Sequence, residues 1–373
     1  MNVTKFLRFF LLVLLTCWIT TGKGQNIVLK GRILDSTKKN PVEMVNIYLL
    51  HNPRIGTVSN EDGRYLIKLE KPDTVIFSHI SYRTYLYKPS FQDTSDNIFL
   101  VRRSENLKEV VIKSNNQKEI QNIISNIRKY RESNYVVWKP VYYKIFARIW
   151  DLSGPRLSKF QEYFLHMYQK FPWPPKLKIV HARAKAFTQK ALSDFGDDTP
   201  DYLLGVFDDY SLIYLNDFLN VSRLNRFDCS LLRAVDIDHY SCYHIKMVRK
   251  NKKETWDLFV DKKTYALVKV EFEKVHDKHH KYEDQGVVNF QRVDGKWYLK
   301  SSKESTHWDN LSNDITKRLF VYTRINKEPL TDYKGLMKID RIHIAKFSSG
   351  FNSTFWKNNV VVPLPQQIKS QIK

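Results

Sequence analysis

Between Ile27 and Lys113, apolar residues come in short runs separated by turn residues, the spacing expected of an all-β sandwich. The runs are Ile27 to Leu34, Val42 to Leu50, Tyr65 to Leu69, Thr74 to Ile80, Asn97 to Val101 and Val110 to Ile112. In the second, Val45, Ile47 and Leu49 point one way and Met44, Asn46, Tyr48 and Leu50 the other, so one face is wholly apolar and belongs in a core. Asn60-Glu61-Asp62-Gly63 predicts a tight turn, because Gly63 tolerates positive φ and Asp62 can bond its own backbone. An acidic turn invites calcium, but the alternating oxygen ligands and closing Glu of an EF-hand loop do not follow, so a hairpin turn is expected.

The period then changes. Ser114-Asn115-Asn116-Gln117 can cap a helix in which Ile120, Ile123, Ile124, Ile127 and Tyr130 recur on one side. Strands resume from Tyr135, interrupted by a Pro-rich loop around Trp173 and a mixed, helical section from Asp201 to Asn220. Trp173 either docks a partner or plugs a local gap, the second being commoner for such a residue. Trp256 to Asp261 and Ala266 to Phe272 read as two strands joined by Lys262-Lys263-Thr264-Tyr265, and Val287 to Val293 and Lys296 to Lys300 as two more joined at Asp294-Gly295. Ala266, Val268, Val270 and Phe272 form an apolar face that could meet a ligand, while Lys269 and Glu271 mark the wet side. The predicted class is mainly β with some helix (α+β): a β-sandwich, then a curved antiparallel sheet or half-barrel with covering helices. The expected divisions are 1–24, 25–113 (sandwich), 114–134 (linker helix) and 135–373 (half-barrel-like region).

Residues 1–24 have the layout of a secretory signal: Lys5 and Arg8, an apolar block from Phe9 to Thr20, and small residues that place the cut after Gly24. The block is shorter than the ~17 to 25 residues that cross hydrocarbon, and no later stretch is long enough to span as a helix. Acylation at Cys17 would leave a shorter apolar core behind a poor preceding residue, Thr16, and ranks below simple export. The expectation is therefore an exported chain, periplasmic or associated with an outer membrane.

Export changes the meaning of the charge. The 61 Lys+Arg and 39 Asp+Glu give +22, and loss of Lys5, Arg8 and Lys23 with the signal leaves +19. A basic chain suggests nucleic acid, but an exported one points to other polyanions or a solvated basic surface, with peripheral membrane contact open. Only Cys229 and Cys242 remain after the cut, and either a disulfide or two buried thiols would fit.

The chain shows no HExxH zinc helix, GxSxG elbow, phosphate loop or GxGxxG fingerprint. His276, His279 and His280 cluster near carboxylates, but acid alternates with Lys there as in a solvated hairpin loop. Asp197-Asp198 and Asp208-Asp209 read as surface pairs and not as glycosidase carboxylates. Catalytic, cofactor and metal-binding residues are all expected to be none.

A resemblance covers most of the mature chain. Gly31-Arg32-Ile33-Leu34-Asp35, Pro41 to Ile47, Gly56-Thr57-Val58-Ser59-Asn60-Glu61-Asp62-Gly63-Arg64-Tyr65, Ile76 to Tyr82 and Leu107 to Ile112 resemble the carboxypeptidase-regulatory-like domain. That resemblance implies a transthyretin-like or prealbumin-like (Ig-like) sandwich, common in envelope proteins of Bacteroidetes and not itself a peptidase. Ser59 and Ser81 stand where the family more often has Thr and Gly. In TonB-dependent receptors the module precedes a plug and barrel, for which the 260 residues left here are too few. The later segments Ile123 to Ile127, Tyr142-Tyr143, Leu258 to Val268 and Gly350 to Val360 resemble the region that follows the module in envelope proteins of unassigned function, and the sheet resembles lipoprotein carriers. What this implies is a non-enzymatic envelope protein that binds an apolar or amphipathic ligand or acyl chain in the half-barrel, with the sandwich docking an envelope protein. The alternative is a structural or protein-interaction module without ligand, and an envelope polymer hydrolase ranks last.

Overall fold

The computed structural model describes residues 27–90, 95–103, 117–189 without 172 and 174, 219–309 without 252 and 277–280, 314–326, 337–338 and 353–372. The signal segment with its cut after Gly24, Cys17, the run Val110 to Ile112, His279, His280, the two Asp pairs and all but the last two residues of the section Asp201 to Asn220 lie outside the described residues.

The chain is mainly β with some helix. Seven short strands build the sandwich: β1 Ile27–Asp35, β2 Asn46–Leu49, β3 Gly56–Val58, β4 Arg64–Leu69, β5 Val75–Ser78, β6 Tyr85–Tyr87 and β7 Ser95–Leu100. One sheet has the order β4-β1-β7, with β1 and β7 parallel, and the other β3-β2-β5-β6. Leu29, Ile33, Val45, Ile47, Phe77 and Leu100 fill the space between them. Asp35 ends β1 by accepting from the backbone N–H groups of Thr37 and Lys38 and from the Tyr82 hydroxyl and Arg102 Nε. In the predicted turn, Asn60 Oδ1 accepts from the N–H groups of Asp62 and Arg64, and Gly63 holds φ +71° with no room for a Cβ beside the Ile33 carbonyl. Ser59, the departure from the usual Thr, is buried, and its hydroxyl accepts from Val45 N and donates to Val42 O.

After helices α1 Gln117–Lys129 and α2 Arg131–Asn134, eleven strands form one open sheet. They are β8 Val141–Ser153, β9 Arg156–Gln169, β10 Lys176–Ala186, β11 Phe227–Ile237, β12 Tyr240–Arg249, β13 Glu254–Asp261, β14 Leu267–His276, β15 Tyr282–Val293, β16 Lys296–Trp308, β17 Asp314–Asn326 and β18 Met337–Lys338. β11 to β17 follow each other as antiparallel neighbours, and β8 joins them beside β17, giving the order β11-β12-β13-β14-β15-β16-β17-β8-β9-β10-β18. The curved sheet has two covered faces. On one, Ile120, Ile123, Ile124 and Ile127 of α1 pack into a continuous core with Ile145, Leu165, Leu258, Val270, Val288 and Phe320. On the other, Phe146, Trp150, Phe160, Leu319 and Val321 are covered by Val58 of the sandwich and by Trp356, Val362 and Ile368. The last three lie on a C-terminal strap, residues 353–372, that carries helices α3 Thr354–Asn358 and α4 Gln366–Ile372. No described helix is long and apolar enough to cross a membrane.

The segment from Leu258 to Val268 folds as it reads, with one irregularity. Asp261 Oδ2 accepts from Thr264 N and Oγ1 to make the turn. A register shift then pairs Phe259 with Lys269 but Val260 with Leu267, and the Tyr135 hydroxyl accepts the Leu267 N–H at 2.8 Å.

The disulfide is not formed: Cys229 and Cys242 are free thiols. They sit on paired strands, but Cys229 faces Met247 and Cys242 faces Val235, so they are offset by five positions, roughly 17 Å at strand rise, against a Cα limit near 7 Å.

Because Ile124 is wholly buried where α1 meets the sheet, Ile124→Ala is expected to destabilise the protein by about 2 to 5 kcal/mol, measured by urea unfolding. A loss under ~0.5 kcal/mol would mean that α1 does not pack there in solution.

Candidate functional site

β2 positions the site. Its odd residues enter the sandwich core, which leaves Asn46 and Tyr48 projecting from the other side, where the large sheet receives them. Asn46 Oδ1 accepts from Ser301 Oγ at 3.4 Å, and that hydroxyl in turn accepts from Asn289 Nδ2 at 3.2 Å. The Lys300 ammonium lies 3.8 Å from the centre of the Tyr48 ring. Burial pulls the Lys300 amine down to about 8, with Asp238 opposing, and burial followed by Asp238 pushes the Tyr48 phenol up.

The acidic turn supplies the next set of contacts. Glu61 Oε1 meets Lys317 Nζ at 2.8 Å and Lys303 Nζ at 3.6 Å, while Glu43 meets Lys303 at 2.6 Å. Burial alone would raise the Glu61 carboxyl, but Lys317 and then Lys303 hold it below its usual range. Asp62 Oδ2 accepts from Gln366 N of the strap at 2.6 Å. The turn is thus a hairpin turn, as expected, and its carboxylates join the modules.

Beside these contacts a cleft of about 720 Å³ runs over the sheet. Glu43 and Glu61 of the sandwich form one wall, and Lys246, Asp257, Glu271, Glu273, Gln285, Lys303, His307 and Lys317 project from β12 to β17. It shares Glu43, Glu271, Val287 and Lys303 with a deeper cavity of about 190 Å³ under the sandwich, where Asn46, Ser78, His79, Lys269 and Asn289 also face inward. Most of the cleft's charges are matched: Glu271 with Lys269, Glu304 with Arg318, and Asp257 with His244 at 2.6 Å. Such a lining offers many donors and acceptors beside the apolar side chains of Phe272, Val287 and Ile315, so it can take a polar partner that replaces water bonds.

Ala266, Val268, Val270 and Phe272 are brought together on the α1 side, at 0%, 2%, 0% and 8% exposure. Val270 pairs with Leu258 and Val288, and the Phe272 ring lies 5.4 Å from Trp256 and across Gly286, where a Cβ would stand 2.5 Å from Phe272 Cζ. Among the described residues the protein's own side chains fill this face. The expected wet side holds at Glu271, whose side chain is 43% exposed in the cleft, and is corrected at Lys269, which is only 7% exposed because the sandwich covers it. His276 stacks on Tyr282 and lies 3.3 Å from Asp284. Trp173 is half exposed and packs edge to face on Trp138. The cleft itself went unread, because alternating Lys and Glu look the same whether they face solvent or a second module. The one available signal was the polar set Asn46, Asn289 and Ser301 at strand positions.

Burial, with Lys269, Arg102 and Arg103 nearby, pulls His79 down to about 4 from 6.5. A depressed histidine stays neutral in the fold while the unfolded chain takes up the proton, so its contribution is whole above pH 6.5 and lost between 6.5 and 4. The melting temperature should therefore fall over that interval, and His79→Gln should flatten the fall; an unchanged profile in the variant would show that His79 is not buried in the seam.

No curated protein matches the chain. Among solved structures, a DUF1329 family protein from Desulfovibrio piger is 12% identical over 59% of this chain and 96% of its own, with a TM-score of 0.28. A LolA superfamily protein from Nitrosomonas europaea is 12% identical over 56% of this chain and 94% of its own, with a TM-score of 0.26. Residues 29–112 match the family model for the CarboxypepD_reg-like domain, so the sandwich that walls the cleft is a domain of that family.

Proposed function

We propose that this chain is a non-enzymatic protein of the cell envelope that works as an interaction module, recognising a polar segment of an envelope protein in the cleft between sandwich and sheet. One observation carries the reading. A cleft of about 720 Å³ is walled by charged side chains from both modules, while Ala266, Val268, Val270 and Phe272 are buried in the protein's own core. The export layout of residues 1–24 and the CarboxypepD_reg-like domain support the envelope setting. The sandwich then has two roles, as one wall of the site and as the clamp that orders Glu43 and Glu61 against Lys303 and Lys317.

The acyl-chain reading has its own support in the continuous apolar surface from Trp256 to Phe272 beneath α1. It requires α1 to lift, which would expose four isoleucines at a cost of about 2 to 3 kcal/mol each.

The two readings separate on direct measurement. A fluorescent fatty acid titrated into the purified protein should show no saturable uptake. A photo-crosslinker at Gln285 in the native envelope should capture one partner in stoichiometric yield. Glu273→Lys, in the cleft but outside the ion pairs of the described residues, should cut that yield at least tenfold with the melting temperature unchanged. Saturable acyl uptake, or capture indifferent to Glu273→Lys, would overturn the interaction reading.

A further inference from the structure

A separate cavity of about 270 Å³ lies between the strap and strands β8 to β10, and its charge is lopsided. Five cationic side chains line it: Arg148 and Arg183 from the sheet, Arg64 from β4 of the sandwich, and Lys357 and Lys369 from the strap. Glu162 is the one carboxylate among its lining residues. Both oxygens of Glu162 are engaged, Oε1 by Arg148 Nε at 2.6 Å and Oε2 by Arg183 Nε at 2.7 Å.

Arg148 is 2% exposed and donates its remaining groups to the carbonyls of Val362 and Pro363, while the Arg183 guanidinium stands 4.5 Å from the centre of the Trp356 ring. These two form a rigid floor. Arg64, Lys357 and Lys369 are exposed and make no ion pair among the described residues, so they form a rim of exposed charge. With one carboxylate against five cations, the partly enclosed space keeps an excess of positive charge that Glu162 offsets only in part. With the floor arginines held by Glu162 and the strap carbonyls, the Arg64 guanidinium and the Lys357 and Lys369 ammonium groups are left to meet an anion from three elements, which suits a compact, doubly charged tetrahedral oxyanion better than a planar carboxylate.

We propose that this cavity is a phosphate-binding site, taking a phosphate group either as a free ion or soluble ester or as the headgroup of an anionic lipid. The volume exceeds that of a bare phosphate, which leaves room for the group it esterifies. Since strap, sandwich and sheet each contribute cations, a bound phosphate ties all three together. It also stabilises the folded chain in proportion to its occupancy. This site is distinct from the cleft, and its failure would leave the interaction reading untouched.

The experiment uses the purified full chain at constant ionic strength. One arm titrates inorganic phosphate and pyrophosphate by calorimetry. The other measures co-sedimentation with phosphatidylcholine vesicles containing phosphatidic acid, against vesicles of phosphatidylcholine alone. Saturable binding in the first arm assigns a soluble phosphate, and binding in the second alone assigns a headgroup. In whichever arm binds, Arg64→Ala/Lys357→Ala/Lys369→Ala should weaken affinity at least tenfold without lowering the melting temperature of the ligand-free chain. Lys38→Ala/Lys71→Ala/Lys118→Ala, which removes as many exposed charges elsewhere, should leave it within twofold. No saturable binding in either arm, or equal losses in the two triple variants, would overturn the proposal.

Discussion

Strands β8, β9, β16 and β17 bury side chains on both faces, and that constraint organises the rest of the molecule. Ile145 and Leu165 point toward α1, while Phe146, Phe160 and Leu319 point the other way. A sheet that is apolar on both sides needs two covers, and leaving either off would expose a large hydrophobic surface. α1 provides the first. The second is composite: Val58 of the sandwich covers one part, and Trp356, Val362 and Ile368 of the strap cover the remainder. The sandwich is therefore built into the sheet's packing and is more than an appended domain.

Specificity in this second cover comes from polar contacts along its edges. The strap's carbonyls at Val361 and Pro363 accept from Thr57 and Asn60 of the sandwich, and Arg148 donates to Val362 and Pro363 from below. A buried guanidinium is costly unless it is well bonded, and here each of its three nitrogens donates, to Glu162 or to one of two carbonyls, which fixes the strap's path where apolar contact alone would let it slide. The same logic holds at the cleft, where Glu61 bridges two lysines. Both cavities of functional interest are consequences of this seam: they are the spaces left where a rigid sandwich and a strap meet a twisted sheet.

Several elements were legible because their period is local. The runs at Ile27, Val42, Tyr65 and Thr74 became strands, and the isoleucine spacing of 120–127 became the helix whose four isoleucines are buried. β3 and β6 were missed, since three residues are too few to show an alternation. Reading Lys269 as solvent-facing failed for a different reason. Alternation tells which residues share a face, but a face can be wet or covered by a module more than two hundred residues away in sequence, as Glu43 and Lys303 show.

By itself the sequence determined the class of the fold, the turn chemistry at Asn60 to Gly63 and at Asp261 to Thr264, and the apolar faces of β2 and β14, because each rests on contacts within a few residues. Only the tertiary structure decided what covers those faces. It set the free thiols of Cys229 and Cys242 on positions too far apart to pair, buried Ala266, Val268, Val270 and Phe272 in the protein's own core, joined the acidic hairpin to the large sheet, and gathered Arg64, Arg148, Arg183, Lys357 and Lys369 around one cavity. These outcomes depend on long-range packing of three separate stretches of chain, and charge or hydrophobicity at a single position says nothing about which distant stretch will arrive there.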